Sequence, residues 1–393
     1  MPITPELHAD PILAKPDRLV SLDAFRGATI AGMLLVNNPG NLPKAADLPA
    51  GSLAQTLAEQ LRHTVWHGVT FTDFIFPFFL FIVGVAMPYA DAKHIAGGGS
   101  FAAGWLQALR RALGLFAVGM FLQSVSRGTP TLSMEVLQRI AVCYFLAFVV
   151  LRRGFWTSIG AAAGLYAAYW TLMVLVRAPE VGWPQCWEKG STIAEAVDLK
   201  CLRENNNEGF VSTLPAITNV IFGILAGRVL RSDRAALVKI GALVVAGTAG
   251  IALGLAWSSD LLTNNLLWTP LNKILWTPSY ALLTSGAAAV VLAASYLLVD
   301  VVGLRPLAWP FVVCGSNAIA IYAFTRLFVR WIFLTQVVHK GTADELTLRN
   351  WLAAHAVRGF GPIAGSIAYS ALVIGTGWLF CLWLWRRKIF LKV

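Results

Sequence analysis

Residues 71–90 read FTDFIFPFFLFIVGVAMPYA, and this stretch decides the class of the fold. Asp73 is its one charged residue, and the rest is the length of apolar chain, about 20 residues, that a single membrane-spanning helix needs. Similar runs lie at 20–37, 112–126, 137–151, 155–176, 212–230, 236–257, 277–299, 308–332 and 364–385, making ten. Of 393 residues 57% are apolar and 13% charged, where a soluble chain carries about 25% charged. An ordinary cytosolic enzyme is thereby excluded. The expected fold is an all-α polytopic membrane protein of about ten transmembrane helices. No polar stretch is long enough for a water-soluble core, so residues 20–393 form one expected transmembrane domain after a cytoplasmic segment, 1–19. That segment, with Glu6, Asp10, Pro11, Pro16 and Asp17, lacks the apolar stretch of a signal peptide, so the first span is expected to insert uncleaved.

The formal net charge is +11. Its Lys and Arg residues stand at the ends of the apolar runs rather than on one aromatic-studded face, which fits anionic lipid and topology better than nucleic acid. Lys93, Arg110 and Arg111, then Arg152 and Arg153, then Arg228, Arg231, Arg234 and Lys239, then Arg305, and finally Arg386, Arg387 and Lys388 all fall on one side if every run spans. Positive charge marks the cytoplasmic face, so both termini are expected in the cytoplasm. The opposite loops, 38–70, 177–211, 258–276 and 333–363, hold most of the acidic residues. Cys186 and Cys201 share one of them, where oxidation is permitted; a disulfide is expected there, with two free thiols as the alternative. No Cys/His spacing suggests a metal site. Gly97-Gly98-Gly99 is a connector and not a phosphate loop, because no GK[ST] follows it.

Polar side chains inside apolar runs are costly and therefore point to function. Asp23 and Arg26 share a helical face, as a neutralising pair or with Arg26 meeting an anionic ligand. Asn37 and Asn38 precede Pro39-Gly40, a helix end; their amides either cap it or offer a neutral donor to a carbonyl oxygen. His63 and His67 lie at the outer boundary, with Asp73 following as a helix-start residue or as the partner orienting a histidine. Imidazole suits base catalysis near neutral pH. Gln138 and Arg139, Asn219, Asn317, Tyr322 and Arg326 punctuate later runs. Asn272-Lys273 sits in a Trp-rich outer segment suited to anchoring or to a sugar ring.

The strings RLVSLDAFRG (18–27), LVNNPG (35–40), His63-x-x-Trp66-x-Gly68-x-Thr70 and TDFIFPFFLFIVG (72–84) resemble the heparan-alpha-glucosaminide N-acetyltransferase family, above all its bacterial members. VLQRI (136–140), NEGFVSTLPA (207–216), GILAG (223–227), PLNKILW (270–276) and NAIAIY (317–322) carry the resemblance in order through nearly all of the apolar part. It implies a transmembrane acyltransferase that passes the acetyl group of cytoplasmic acetyl-CoA to an amino sugar, typically glucosamine, across the membrane. The family's catalytic histidine falls on His63 and its asparagine on Asn37, whereas His67 inherits no role. The resemblance also implies a homodimer. The lysosomal members' large luminal domain and extra span have no counterpart here, so a bacterial inner membrane and a smaller sugar are expected.

In the mechanism that follows, His63 acts as base or as acyl acceptor and Asn37 as positioning or oxyanion donor. Asp73, Asn38, Trp66, Asn272, Lys273 and Glu208 are the expected substrate contacts. Arg26, Arg110, Arg111, Arg139 and Arg152 are the expected contacts for the acetyl-CoA phosphates, which need fixed positive charge. The competing readings are an inner-membrane amino-sugar transporter and an O-acetyltransferase of a periplasmic glycan.

Overall fold

The computed structural model describes residues 19–38, 42–130, 133–176, 185–202, 209–259, 268–329, 331, 337–338 and 346–391. Among them the helices are, in order, α1 (Val20–Asn37), α2 (Leu53–Gln60), α3 (Phe71–Ala96), α4 (Phe101–Arg127), α5 (Val136–Ala147), α6 (Phe155–Leu175), α7 (Ile193–Leu202), α8 (Thr213–Arg231), α9 (Ala236–Ser258), α10 (Pro278–Ser295), α11 (Arg305–Ser316), α12 (Ala318–Phe324), α13 (Leu348–Phe360) and α14 (Pro362–Arg386). One antiparallel pairing of two residues, Val337 with Thr347 and Val338 with Leu346, precedes α13.

Nine of the apolar runs fall mainly on one helix each and the described part of 308–332 falls on two, α11 and α12, but length and composition alone do not make ten spans. Seven helices are long and apolar enough to cross a membrane: α3, α4, α6, α8, α9, α10 with its continuation to Val301, and α14. An eighth exists if α11 and the stretch Ala318–Phe328 count together; a bend of 67° separates them. Of the other two runs, α1 carries Asp23 and Arg26, and Val136–Val150 is short. The loops contain helices that hydropathy does not mark, since α2, α7 and α13 are only 8, 10 and 13 residues long and carry polar and charged side chains.

The centre is built around α3 and α8, which run parallel and touch backbone to backbone. A Cβ at Gly84 would collide with the Val220 carbonyl, and one at Gly223 with the Phe81 carbonyl. Lipid gives helices no hydrophobic reason to associate, so this close approach of small residues supplies the packing instead. Around it gather Phe76 and Leu80 of α3, Ala141 and Cys143 of α5, Ile217 and Ile221 of α8, and Trp276 and Tyr280 before and on α10.

The two ends of α3 differ in chemistry. At its C-terminal end Asp91 accepts two hydrogen bonds from Arg152, at 3.0 Å from Nε and 2.7 Å from Nη2. Nearby, Arg228 of α8 donates to the carbonyls of Val150 and Leu151. The N-terminal end holds Asp73, about 27 Å away at 1.5 Å per residue, close to the thickness of a bilayer core.

The expected disulfide is absent. Cys186 is turned into a core with Tyr169, Met173 and Trp187, while Cys201 lies exposed on α7, and the two are not joined.

Gly223→Leu should therefore force α3 and α8 apart, lowering stability by about 1–3 kcal/mol or more. Gly164→Leu, on α6 with nothing within 4 Å of the added atom, should leave the thermal unfolding midpoint in detergent unchanged.

Candidate functional site

The start of α3 fixes the site. Thr70 and Asp73 stand in N-cap and N3 positions, where a hydroxyl residue and an acid three residues on satisfy free N–H groups of a first turn. The Thr70 N–H and hydroxyl donate to Asp73 Oδ2 at 3.1 and 3.0 Å, and the Thr64 hydroxyl does so at 3.3 Å. The second oxygen, Oδ1, lies 2.6 Å from His63 Nδ1. Asp73 is thus both a helix-start residue and the partner of a histidine, one oxygen for each. Its side chain is fully buried, while that of His63 is 51% exposed. A carboxylate at Nδ1 assigns the ring proton to that nitrogen and leaves Nε2 as an acceptor.

Lys273 arrives from the loop before α10. Its Nζ lies 3.5 Å from Asp73 Oδ1 and 3.0 and 3.4 Å from the two His63 ring nitrogens. With the ring proton on Nδ1 the ammonium cannot donate to that nitrogen; its partners are the Asp73 carboxylate and Nε2, the ring nitrogen able to accept from it. The loop itself is tightly tied. Leu275 N–H donates to Asn272 Oδ1 at 2.9 Å, Thr277 N–H to the Asn272 carbonyl at 3.1 Å, and Gly68 N–H joins the histidine loop to the Leu271 carbonyl at 2.8 Å. Trp276 within it has φ 51°, a left-handed backbone that costs an aromatic L residue on the order of 1–3 kcal/mol. Its buried indole N–H donates to Asn219 Oδ1 at 2.8 Å. Asn219 Nδ2 in turn reaches Ser285 Oγ at 2.7 Å, Thr284 Oγ1 at 3.2 Å and the Ala281 carbonyl at 3.2 Å.

The sequence profile described as heparan-alpha-glucosaminide N-acetyltransferase, catalytic, matches residues 18–252, more than half of the chain. The chain belongs to this family. It is 23% identical to the heparan-alpha-glucosaminide N-acetyltransferase of Mus musculus over 392 residues, covering 82% of this chain and 55% of that protein. Against the Homo sapiens protein of the same name it is 24% identical over 384 residues, covering 80% and 54%. The chain spans about half the length of these curated relatives. The acetyltransferase profile takes in His63, Asp73 and Asn219 and stops before Lys273, which the fold alone brings to the site.

The remaining expected residues of this family member are spread more widely. Asn37 is exposed at the last turn of α1 and is not hydrogen-bonded to His63; Gly32, earlier on that helix, faces Phe71 and Ile75, so the end of α1 lies beside the start of α3. Asn38 closes α1, its amide donating to the Leu34 carbonyl and its carbonyl accepting from Ser370. Trp66 donates its indole N–H to the Trp187 carbonyl at 2.9 Å. Asn272 is buried within its own loop, and Glu208 lies outside the described residues. Arg139 is fully buried, donating to Ser212 Oγ and the Gly209 carbonyl with its guanidinium 4.9 Å from the Trp276 ring centre. Arg26 donates to Asp23 at 3.0 Å and to the Gly315 carbonyl at 3.3 Å. Arg152 is held by Asp91, Arg111 lies over the Tyr144 ring, and Arg110 is exposed on α4. The structure therefore unites His63, Asp73 and Lys273 and leaves the arginines apart. Among the described residues no group of three His, Cys, Asp or Glu could hold a metal ion.

Sequence reasoning gave Thr70 no role beyond its place in a motif, and missed the Asn219–Trp276 bond and the pairing of His67 with Glu188 at 3.4 Å. The T-x-x-D spacing signals the first; no local pattern signals the others.

Asp73→Ala removes the acceptor for Thr70 and His63 and leaves the Lys273 ammonium against the ring, an expected loss of about 2–4 kcal/mol. Thr70→Val should cost about 1 kcal/mol. Thermal unfolding of the two purified proteins checks the order.

Proposed function

We propose that the chain is a transmembrane acetyltransferase moving an acetyl group from cytoplasmic acetyl-CoA to the amino group of a glucosamine-type sugar on the opposite side. The observation that carries this reading is the His63–Asp73 pair, which leaves Nε2 as the acceptor nitrogen of a half-exposed ring beside Lys273. A sugar ammonium must lose a proton before its nitrogen can attack a thioester carbon. His63 Nε2 takes that proton, or accepts the acetyl group itself and passes it on, and in either route the C–S bond breaks and the thiol leaves protonated. Asp73 holds the ring in the required tautomer. Asn37 and the Lys273 ammonium supply donors for the carbonyl oxygen as it becomes negative. Trp66, Asn38 and Glu208 belong to the acceptor side of the site.

The two-ended chemistry of α3 supports the orientation. Arg152 and Arg228 gather at the end away from His63, and the positive end of a membrane protein faces the cytoplasm. On this reading all ten apolar runs span, both termini are cytoplasmic, residues 20–393 are one domain, and the protein works as a homodimer in a bacterial inner membrane. Arg110 and Arg111 of α4 are the basic residues assigned to the donor phosphates.

The test is mass spectrometry of amino sugars and sugar alcohols incubated with purified protein and acetyl-CoA, which reports acceptor and acyl group together. A folded His63→Ala protein should lose about 100- to 10,000-fold in turnover, and Asn37→Ala about 100-fold or more. Wild-type transfer by His63→Ala would overturn the reading.

A further inference from the structure

Lys273 owes its place to a residue that touches neither His63 nor Asp73. Two hydrogen bonds, both from Trp276, connect Lys273 to Asn219. Trp276 N–H donates to the Lys273 carbonyl at 3.1 Å, so the orientation of Trp276 sets that of Lys273. Trp276 keeps its left-handed backbone while wholly buried, and its indole N–H is fixed by Asn219 Oδ1. Asn219 is also fully buried, its amide spending its donors on Ser285, Thr284 and the Ala281 carbonyl of α10. Its neighbour Val220 meets Gly84 of α3 backbone to backbone. Asn219 thus stands where three parts converge: α8 locked on α3, the start of α10, and the strained loop.

We propose that Asn219 is a positioning residue: by pinning the Trp276 indole it holds the Lys273 ammonium at the His63–Asp73 pair and so sets the rate of acetyl transfer. The kinetic half of this proposal rests on the transferase reading, and the geometric half does not. Without the indole bond, an aromatic residue in this conformation relaxes towards an ordinary backbone, and the turn that ends at Lys273 relaxes with it.

The experiment uses the full-length protein in detergent and two substitutions. Trp276→Phe keeps an aromatic ring and deletes the N–H; Asn219→Ala deletes the acceptor. Helix content and thermal midpoint establish that each is folded, and Trp276→Phe carries the test if Asn219→Ala does not fold. The first readout is the rate at which a succinimidyl propionate probe modifies Lys273, followed by mass spectrometry with exposed Lys93 as internal reference. The second is kcat and KM for acetyl-CoA and for the best acceptor of the sugar panel. Lys273 should react about tenfold faster and kcat should fall about tenfold, the equivalent of one buried hydrogen bond, with both KM values within about twofold. The double variant should add little to either single one, because both remove the same bond.

A merely structural role would lower the midpoint and leave Lys273 reactivity untouched, and unchanged reactivity in a folded variant overturns the proposal. Raised reactivity with unchanged kcat overturns its kinetic half. Raised reactivity in a protein whose wild type transfers no acetyl group upholds the positioning and removes the transferase reading instead.

Discussion

One buried carboxylate carries the site. Asp73 sits at the mouth of a long apolar helix, where an isolated charge would be expensive to bury and where the first N–H groups of the helix have no intrahelical partner. The structure answers both demands with the same group. Oδ2 closes the first turn through Thr70, and Oδ1 is shared by an imidazole and an ammonium that come from sequence positions 210 residues apart. The histidine can be half exposed and still have one orientation because the group behind it is immobile.

That immobility is inherited from packing. α3 is seated on α8 through glycines that admit no side chain between the backbones, and α8 carries Asn219 towards the loop that delivers Lys273. Helix contact, a buried amide and a strained tryptophan form one continuous support. The polar network is satisfied by backbone carbonyls and hydroxyls of α10, as a membrane interior requires, since no water is there to satisfy it.

Much of this could be read along the chain because it depends on neighbours in sequence. The apolar runs predict the helices, and the proximity of His63 to Asp73 is a matter of ten residues. What stays hidden is long-range or conformational. Lys273 belongs beside His63 only after the chain has crossed and returned, and nothing in PLNKILW says that its tryptophan adopts φ 51°. Arg139 looks like a ligand contact because it is an arginine in an apolar run, yet it is buried against Trp276 and bonded to Ser212 and Gly209. The count of span-length helices differs from the count of apolar runs for a physical reason too: α1 carries an ion pair, and the α11–α12 segment bends where hydropathy continues smoothly.

The hydrogen bond from Arg26 to the Gly315 carbonyl has a consequence for biogenesis. Gly315 stands one turn from the break before α12, where the regular ladder ends, and the guanidinium takes up a carbonyl there. The two residues are separated by 289 positions, so the ribosome makes the donor long before the acceptor exists. Until α11 is made, the Asp23–Arg26 pair of α1 lacks this contact. The docking of α1 is therefore completed late, by a segment 289 positions further along the polypeptide.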